Sequence, residues 1–276
     1  SSWTLTALPL FVWMGEILFR TKLSENLFAG LSPWMQKLPG GLIHVNVVGC
    51  ALFAAISGSS AATVATVGKM SIPELRKRKY PEKILLGSLA GSGTLGLLIP
   101  PSIILIIYGV TVQESIAKLF IAGIIPGIMI ALIFMSYVII WSLINKKSMP
   151  KYVENFSFLE KIRKSKQLLP VIILISAVIG SIYTGVATAT EAASLGVVGA
   201  LILSYFQKSL TIETFKQSLL GATKTSCMIA FILAGSTFLS LAMGFTGLPR
   251  NLAIWIQNME LSLSLIHISE PTRLDD

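Results

Sequence analysis

Long apolar runs without a single charged residue dominate this chain. Residues 38–68, 84–113, 119–145, 167–190 and 225–249 contain no Asp, Glu, Lys or Arg. A helix that crosses a membrane needs about 20 mostly apolar residues, and each of these runs is longer than that. The pattern predicts an all-α polytopic membrane protein and excludes a soluble globular protein.

Composition and charge agree with this interpretation. Of the 276 residues, 53% are hydrophobic and 13% are charged, whereas soluble domains carry about 25% charged residues. The net charge is +9, but 19 of the 22 basic residues lie in four segments that read as loops, namely 20–37, 69–83, 146–166 and 208–224. The positive-inside rule places these loops in the cytoplasm. Membrane topology therefore accounts for the charge, and no nucleic-acid partner is expected.

Two of the apolar runs are interrupted near their middle. Residues 42–68 are centred on Ser57-Gly58-Ser59-Ser60, and polar backbone at membrane depth is tolerated only where protein buries it or it lines a cavity. This predicts a re-entrant helical hairpin that enters from the cytoplasmic side and returns there. Residues 84–108 contain three glycines and the pair Pro100-Pro101 within eleven residues. Because proline removes a hydrogen-bond donor and clashes with the preceding turn, this run predicts a broken helix.

Simple membrane spans are predicted over 3–19, 116–145, 168–183, 190–206 and 225–245. Residues 263–276 end the hydropathy pattern abruptly in a polar segment, and we expect them to be a non-native tail. Since the chain also begins at Ser1 without a methionine, we expect it to be shortened at both ends.

The hairpin and the broken helix are the strongest candidates for a binding site. Secondary transporters use helix ends near the bilayer midplane to bind ions and substrate, and Na⁺ is a hard cation that prefers oxygen ligands. The hairpin tip offers serine hydroxyls, and the broken helix offers carbonyl groups. Close packing of small residues is the alternative explanation of the same pattern.

Other polar residues fit structural roles as well as functional ones. Glu16 and Glu191 lie near predicted helix ends, where an interfacial role competes with a functional one. An intramembrane serine hydrolase using Ser59 or Ser60 is a third class of function. It lacks a convincing general base, because His44 and His267 are the only histidines and His267 lies in the suspect tail.

Three ordered blocks resemble the large membrane subunit of tripartite ATP-independent periplasmic (TRAP) transporters. They read LPGGLIHVNVVGCALFAAISGSSAATVATVG (38–68), TLGLLIPPSIILIIYGV (94–110) followed by LFIAGIIPGI (119–128), and GVATATEAASLGVV (185–198). In the third block, Ala189 stands where the family usually has a proline. The resemblance implies the first part of an inverted-repeat elevator transporter. It divides the chain into a scaffold helix and connector (1–41), a transport-domain hairpin and broken helix (42–113) and further transmembrane helices (114–262).

The resemblance also implies a function. It indicates a permease subunit, not an enzyme, in the bacterial inner membrane, where it would import small organic acids with Na⁺ as the coupling ion and no other cofactor. The implied partners are a periplasmic solute-binding protein, a small membrane subunit and the lipid bilayer. An ion-coupled carboxylate carrier without a binding protein is the alternative of the same architecture.

Carried over by motif position, the first sodium and substrate site would combine the hairpin tip with the broken helix. The implied residues are Ser57, Gly58, Ser60, Gly96, Ile99 and Pro101, with possible further polar contacts from Asn46, Ser59, Ser102, Thr188 and Glu191. The family's second hairpin and second Pro-Pro break have no counterpart in this sequence. We therefore expect the second sodium site to lie beyond residue 262.

Overall fold

The computed structural model describes residues 3–21, 23–150 and 156–257. Within these ranges every regular element is helical. The α-helices, in chain order, are α1 (Ala7–Phe19), α2 (Leu23–Met35), α3 (Ile43–Ser57), α4 (Ser60–Lys77), α5 (Glu82–Gly93), α6 (Ile103–Thr111), α7 (Ile116–Ile144), α8 (Phe158–Ser165), α9 (Leu169–Tyr183), α10 (Ala189–Phe206), α11 (Ile212–Thr246) and α12 (Leu248–Gln257). Short 3₁₀ turns occupy Trp3–Thr6, Thr94–Leu97, Lys146–Ser148 and Lys166–Leu168.

Several helices can cross a membrane. In the described part of the chain, α7, α10 and α11 are long and apolar enough, and the pair α8 and α9, bent by 56°, is a fourth candidate. The apolar helices α1 and α3 are shorter, with 13 and 15 residues. The all-α, polytopic membrane class predicted from the sequence is confirmed. The inverted repeat, the functional division at residues 41 and 113 and the elevator mechanism stay predictions.

All four of the basic segments predicted as loops are partly helical, and α2 lies within the first of them, 20–37. Helix α4 continues to Lys77, well into the predicted loop 69–83, and the basic Arg76 and Lys77 lie in its last turn, where cations stabilise the negative end of the helix dipole. Residues 146–166 contain α8, and α11 begins at Ile212, inside the predicted loop 208–224. High polarity therefore did not mark the ends of the helices. The predicted tail 263–276 lies outside the described residues.

The chain divides into two compact units, residues 1–226 and 227–276. In the first unit, α1 packs against α10 and α3, and α3 packs against α4 and α5. Phe11 of α1 meets Phe120 of α7 edge to face, with ring centroids 6.2 Å apart. In the second unit, α12 follows the end of α11 after Gly247, whose φ is +65°.

Candidate functional site

The predicted helical hairpin is formed by α3 and α4 with a two-residue turn. Gly58 adopts the left-handed conformation (φ +58°) that glycine tolerates without a steric cost, and its N–H donates to the carbonyl of Ala54 at 3.0 Å. Ser59 is extended and caps α4, because its hydroxyl accepts a weak hydrogen bond from the N–H of Ala62 at 3.5 Å. The turn therefore reverses the chain between Ser57 and Ser60.

The serine hydroxyls at the tip differ in their partners. Ser57 Oγ lies 3.0 Å from Thr63 Oγ1 and 3.3 Å from the carbonyl of Ser59. Ser60 Oγ is buried and has no hydrogen-bond partner among the described residues. A buried hydroxyl without a partner costs free energy, so Ser60 has unused capacity to bind a ligand.

The predicted break in the second apolar run is also present. Helix α5 ends at Gly93, a 3₁₀ turn follows over Thr94–Leu97, and α6 begins at Ile103. Residues 98–102 are not helical. The hydroxyl of Ser102 donates to the carbonyl of Leu97 at 2.7 Å and spans the break.

The hairpin tip and the break lie in direct contact. The N–H of Ile103 donates to the carbonyl of Gly58 at 3.2 Å. A Cβ atom on Gly58 would lie 2.5 Å from the carbonyl oxygen of Pro101, and one on Gly96 would lie 2.9 Å from the backbone nitrogen of Ser60. Both glycines are required by this close approach of two backbones.

Neighbouring helices support this junction through small residues. A Cβ on Gly15 of α1 would lie 2.9 Å from the Cα of Ser57. On α7, a Cβ on Gly123 would lie 2.7 Å from the carbonyl oxygen of Leu98, and one on Gly127 would lie 2.9 Å from Cγ1 of Ile99. The side chain of Ile99, a predicted site residue, therefore packs against α7.

Four helix ends meet at the junction. The C-terminal ends of α3 and of the 3₁₀ turn bring carbonyl groups, and the N-terminal ends of α4 and α6 bring N–H groups. The hairpin and the broken helix contribute no charged residue, because 38–68 and 84–113 contain none, so these two segments offer only backbone dipoles and hydroxyl groups. Such a junction can bind a cation at its carbonyl ends and an anion at its N-terminal ends.

Asn46 lies away from this junction. It precedes Ser57 by 11 residues in α3, which corresponds to roughly 16 Å along a helix. Its Nδ2 donates to the carbonyl of Leu85 at 3.2 Å and to the hydroxyl of Ser88 at 3.0 Å, while its Oδ1 is buried without a partner among the described residues. Asn46 therefore joins α3 to α5.

Thr188 and Glu191 cap α10 by bonding to each other. The carboxylate of Glu191 accepts from the N–H and the hydroxyl of Thr188, both at 2.8 Å, and Thr188 Oγ1 accepts from the N–H of Glu191 at 3.3 Å. This is a capping box. The structure gives these residues a local role, and a binding role for them stays a prediction.

Thr63 is a residue of the hairpin tip that was not predicted from the sequence. This residue is fully buried, and its hydroxyl contacts Ser57. Residues three apart in a helix lie on the same face, so the spacing from Ser60 to Thr63 was the signal that could have identified it.

Among the residues that the structure describes, none is placed at the tip as a general base for a serine nucleophile. His44 lies at the start of α3, at the opposite end of a 15-residue helix from Ser57, which is roughly 20 Å away. Its Nε2 lies 2.7 Å from the carbonyl of Pro39. This separation argues against hydrolase chemistry at Ser59 or Ser60.

Comparisons with known proteins agree with this architecture. Residues 1–269 match the family described as "Tripartite ATP-independent periplasmic transporter, DctM component". The chain belongs to this family. It is 32% identical over 261 residues to the C4-dicarboxylate TRAP transporter large permease protein DctM of Pseudomonas aeruginosa, which covers 94% of this chain and 60% of the relative.

Other TRAP permeases are equally similar. The sialic acid TRAP transporter large permease protein SiaM of Vibrio cholerae is 32% identical over 91% of this chain and 58% of the relative. The isethionate TRAP transporter permease protein DctMQ of Oleidesulfovibrio alaskensis is 32% identical over 91% of this chain and 40% of the relative. The chain thus spans about three fifths of the length of the large permease proteins it matches. It is a multi-pass protein of the bacterial inner membrane, and its relatives are transporter permeases, not enzymes.

Proposed function

We propose that this chain is part of the permease subunit of a sodium-coupled TRAP importer of small organic acids. The observation that carries the proposal is the contact between the hairpin tip and the broken helix, where Gly58 and Ile103 share a backbone hydrogen bond of 3.2 Å. Two interrupted helices that meet in this way are typical of ion-coupled secondary transporters.

The proposed sodium site uses the oxygen atoms at this junction. Ser57, Ser59 and Ser60 supply hydroxyl oxygens, with the unpartnered hydroxyl of Ser60 as the strongest candidate. Carbonyl oxygens from the backbone around Gly96, Ile99 and Pro101 would complete the shell. Hydroxyl and carbonyl oxygens suit a hard cation, and a monovalent ion needs no acidic residue here to be bound reversibly.

The proposed substrate carries an acidic group. Relatives are named for C4-dicarboxylates, sialic acid and isethionate. The N-terminal ends of α4 and α6 at the junction would attract such an anion. Ser102, the residue that precedes the first residue of α6, lies beside this position. Because the chain covers about three fifths of these large permeases, we propose that further substrate contacts come from residues absent from this chain.

The proposed partners are a periplasmic solute-binding protein, which delivers the substrate, and a small membrane subunit. The family's descriptive name contains the word periplasmic, and the relatives called large permease protein suggest a smaller companion. The isethionate relative is called permease protein DctMQ, without the word large, so we propose that the small subunit is either a separate protein or part of the same chain.

Uptake by the reconstituted full-length protein tests the proposal. The first substrates to test are a radiolabelled C4-dicarboxylate and sialic acid. We expect accumulation only when the binding protein, the small subunit and an inward sodium gradient are all present. Replacing the sodium gradient by an equal potassium gradient is the control. Uptake that does not respond to sodium would refute the coupling.

The same preparation separates the two alternatives. Ion-driven uptake without a soluble binding protein would favour a carboxylate carrier of the same architecture. Labelling of Ser59 or Ser60 by a serine-reactive phosphonate would favour a hydrolase, and we expect no labelling.

A further inference from the structure

Helix α8 presents a surface that the transport proposal does not use. Its apolar residues Phe158, Leu159 and Ile162 are spaced i, i+1 and i+4, which places them on one side of the helix. Phe158 is 67% exposed and Leu159 is 77% exposed. No described residue covers most of this apolar side.

Basic residues flank the apolar side of α8. Lys161, Arg163 and Lys164 lie in the helix and Lys166 follows it, against the single acid Glu160. Glu160 is engaged in the N-terminal capping box, because its carboxylate accepts from the N–H of Ser157 at 2.8 Å. An apolar side next to a cationic side is the pattern of a helix that lies in a membrane interface.

Trp34 of α2 holds α8 in a defined orientation. Its indole N–H donates to the hydroxyl of Ser165 at 2.8 Å, and its ring meets Phe158 edge to face with centroids 6.2 Å apart. Lys161 Nζ lies 5.3 Å from the centre of the same ring. Trp34 itself is 41% exposed, and tryptophan is enriched at membrane–water interfaces. These contacts pack α8 against α2 and fix the direction in which the exposed apolar side of α8 faces.

The position of α8 in the chain brings it to the membrane surface. It lies between the candidate span α7 and the 15-residue apolar helix α9, in the basic segment that the positive-inside rule assigns to the cytoplasm. Helix α9 begins at Leu169, four residues after α8 ends, and the two helices are bent by 56°. The side chain of Leu168, in the 3₁₀ turn between α8 and α9, packs on Gly30 and holds this turn against α2.

We infer that α8 and Trp34 form a binding site for anionic phospholipid headgroups of the cytoplasmic leaflet. Phe158, Leu159 and Ile162 would enter the acyl boundary, while Arg163 and Lys166, both exposed, reach the phosphate groups. The site is independent of the transported solute. Each Lys or Arg near an anionic surface contributes about 1 kcal/mol, or roughly a fivefold preference.

Photo-crosslinking tests this inference on the full-length protein in lipid nanodiscs. The probes are phosphatidylglycerol and phosphatidylcholine, each with a diazirine near the headgroup, and the readout is the ratio of the two adducts on the peptide that contains residues 156–168. We expect phosphatidylglycerol to be favoured by roughly tenfold or more at low salt. The ratio should fall as the salt concentration rises, because salt screens exposed charges.

Paired variants make the test specific. The double substitution Arg163→Gln and Lys166→Gln should lower the ratio by at least roughly tenfold, because each charge contributes roughly fivefold, and Arg163→Lys with Lys166→Arg should restore it. The matched control is Lys77→Gln with Lys83→Gln, two exposed basic residues of the neighbouring predicted cytoplasmic segment, which should leave the ratio at α8 unchanged.

Three results would overturn the inference. The first is an equal yield of both lipid adducts at α8 in the parent protein. The second is an equal loss of preference in the control variant. The third is the absence of lipid adducts at α8 together with crosslinks from α8 to the small membrane subunit, which would make this surface a protein interface.

Discussion

Two turns between helices in this protein contain similar polar residues, but these residues make different kinds of contact. At the turn before α10, Thr188 and Glu191 satisfy each other's hydrogen bonds within one turn of helix. At the turn before α4, Ser59 caps the helix, but the neighbouring hydroxyl of Ser60 is buried without a described partner. The first turn is complete by itself, whereas the second is completed by contact with a distant segment.

This difference shows how to weigh polar residues in an apolar chain. An acid such as Glu191 attracts attention because acids are rare in membrane segments, yet its position is explained by helix capping. The serines of the hairpin tip carry no charge. They are the stronger site candidates because the broken helix brings its backbone carbonyls to the hairpin tip, where the hydroxyl of Ser60 has no described partner.

The largest expected effect on stability comes from disrupting the contact between the hairpin tip and the broken helix. Gly58→Ala forces a Cβ atom toward the Pro101 carbonyl at 2.5 Å and a side chain into φ +58°. We expect the free energy of unfolding to fall by roughly 2–4 kcal/mol, measured by denaturation in detergent.

The matched control for this substitution is Gly87→Ala. A Cβ atom on Gly87, in the middle of α5, meets nothing within 4 Å. We expect it to be neutral or to stabilise the helix by up to about 1 kcal/mol. Equal stability of the two variants would show that the tip is not packed on residues 101–103.

The next effect concerns ion binding at the tip. Ser60→Ala removes a hydroxyl that has no partner among the described residues, so the free energy of unfolding should change by less than about 0.5 kcal/mol. The sodium concentration for half-maximal uptake should rise roughly tenfold. Ser71→Ala is the control, because Ser71 is also in α4 and its buried hydroxyl also lacks a described partner. If both variants leave sodium dependence unchanged, the small residues of the tip serve packing alone.

Ser57→Ala should give a different profile from Ser60→Ala. It removes the contact with Thr63 Oγ1 at 3.0 Å, so we expect a loss of about 1 kcal/mol in unfolding free energy in addition to weaker sodium dependence. The comparison is made on the same uptake and denaturation assays. A variant with normal stability and altered sodium dependence would instead mean that the Ser57 hydroxyl is turned toward the ion.

The smallest effect on sodium dependence is expected at the turn before α10. Thr188→Ala removes the cap of α10 and should lower stability by about 1 kcal/mol without changing sodium dependence. Ser194→Ala, an exposed position in the same helix whose hydroxyl bonds only the carbonyl of Thr190, should have little effect on either measurement. A changed sodium response in Thr188→Ala would place this turn in the transport pathway.

Local sequence signals predicted the turns well. Gly58 between two serines marked the reversal of the hairpin, and Gly96 with Pro100 and Pro101 marked the break, because glycine and proline act on the backbone at their own positions. The same signals were less informative about loops. The six basic residues of 69–83 were expected in a loop, although α4 continues to Lys77 and contains three of them.

The candidate site was only partly predictable. Spacing and resemblance named two segments that the structure places in contact. They did not distinguish Ser57, which bonds Thr63, from Ser60, which has no described partner. They also gave no position for Asn46, which the structure places roughly 16 Å from Ser57 along α3.

The sequence by itself determined the membrane class, the expected orientation and the positions of the hairpin turn and the helix break. These properties depend on hydropathy, on charge and on backbone restrictions that act over a few residues. Only the tertiary structure decided which carbonyl meets which N–H, which hydroxyl is left unpaired and which helix faces are covered. Those outcomes depend on packing between segments far apart in the chain, such as Gly58 against Pro101, and no local pattern specifies them.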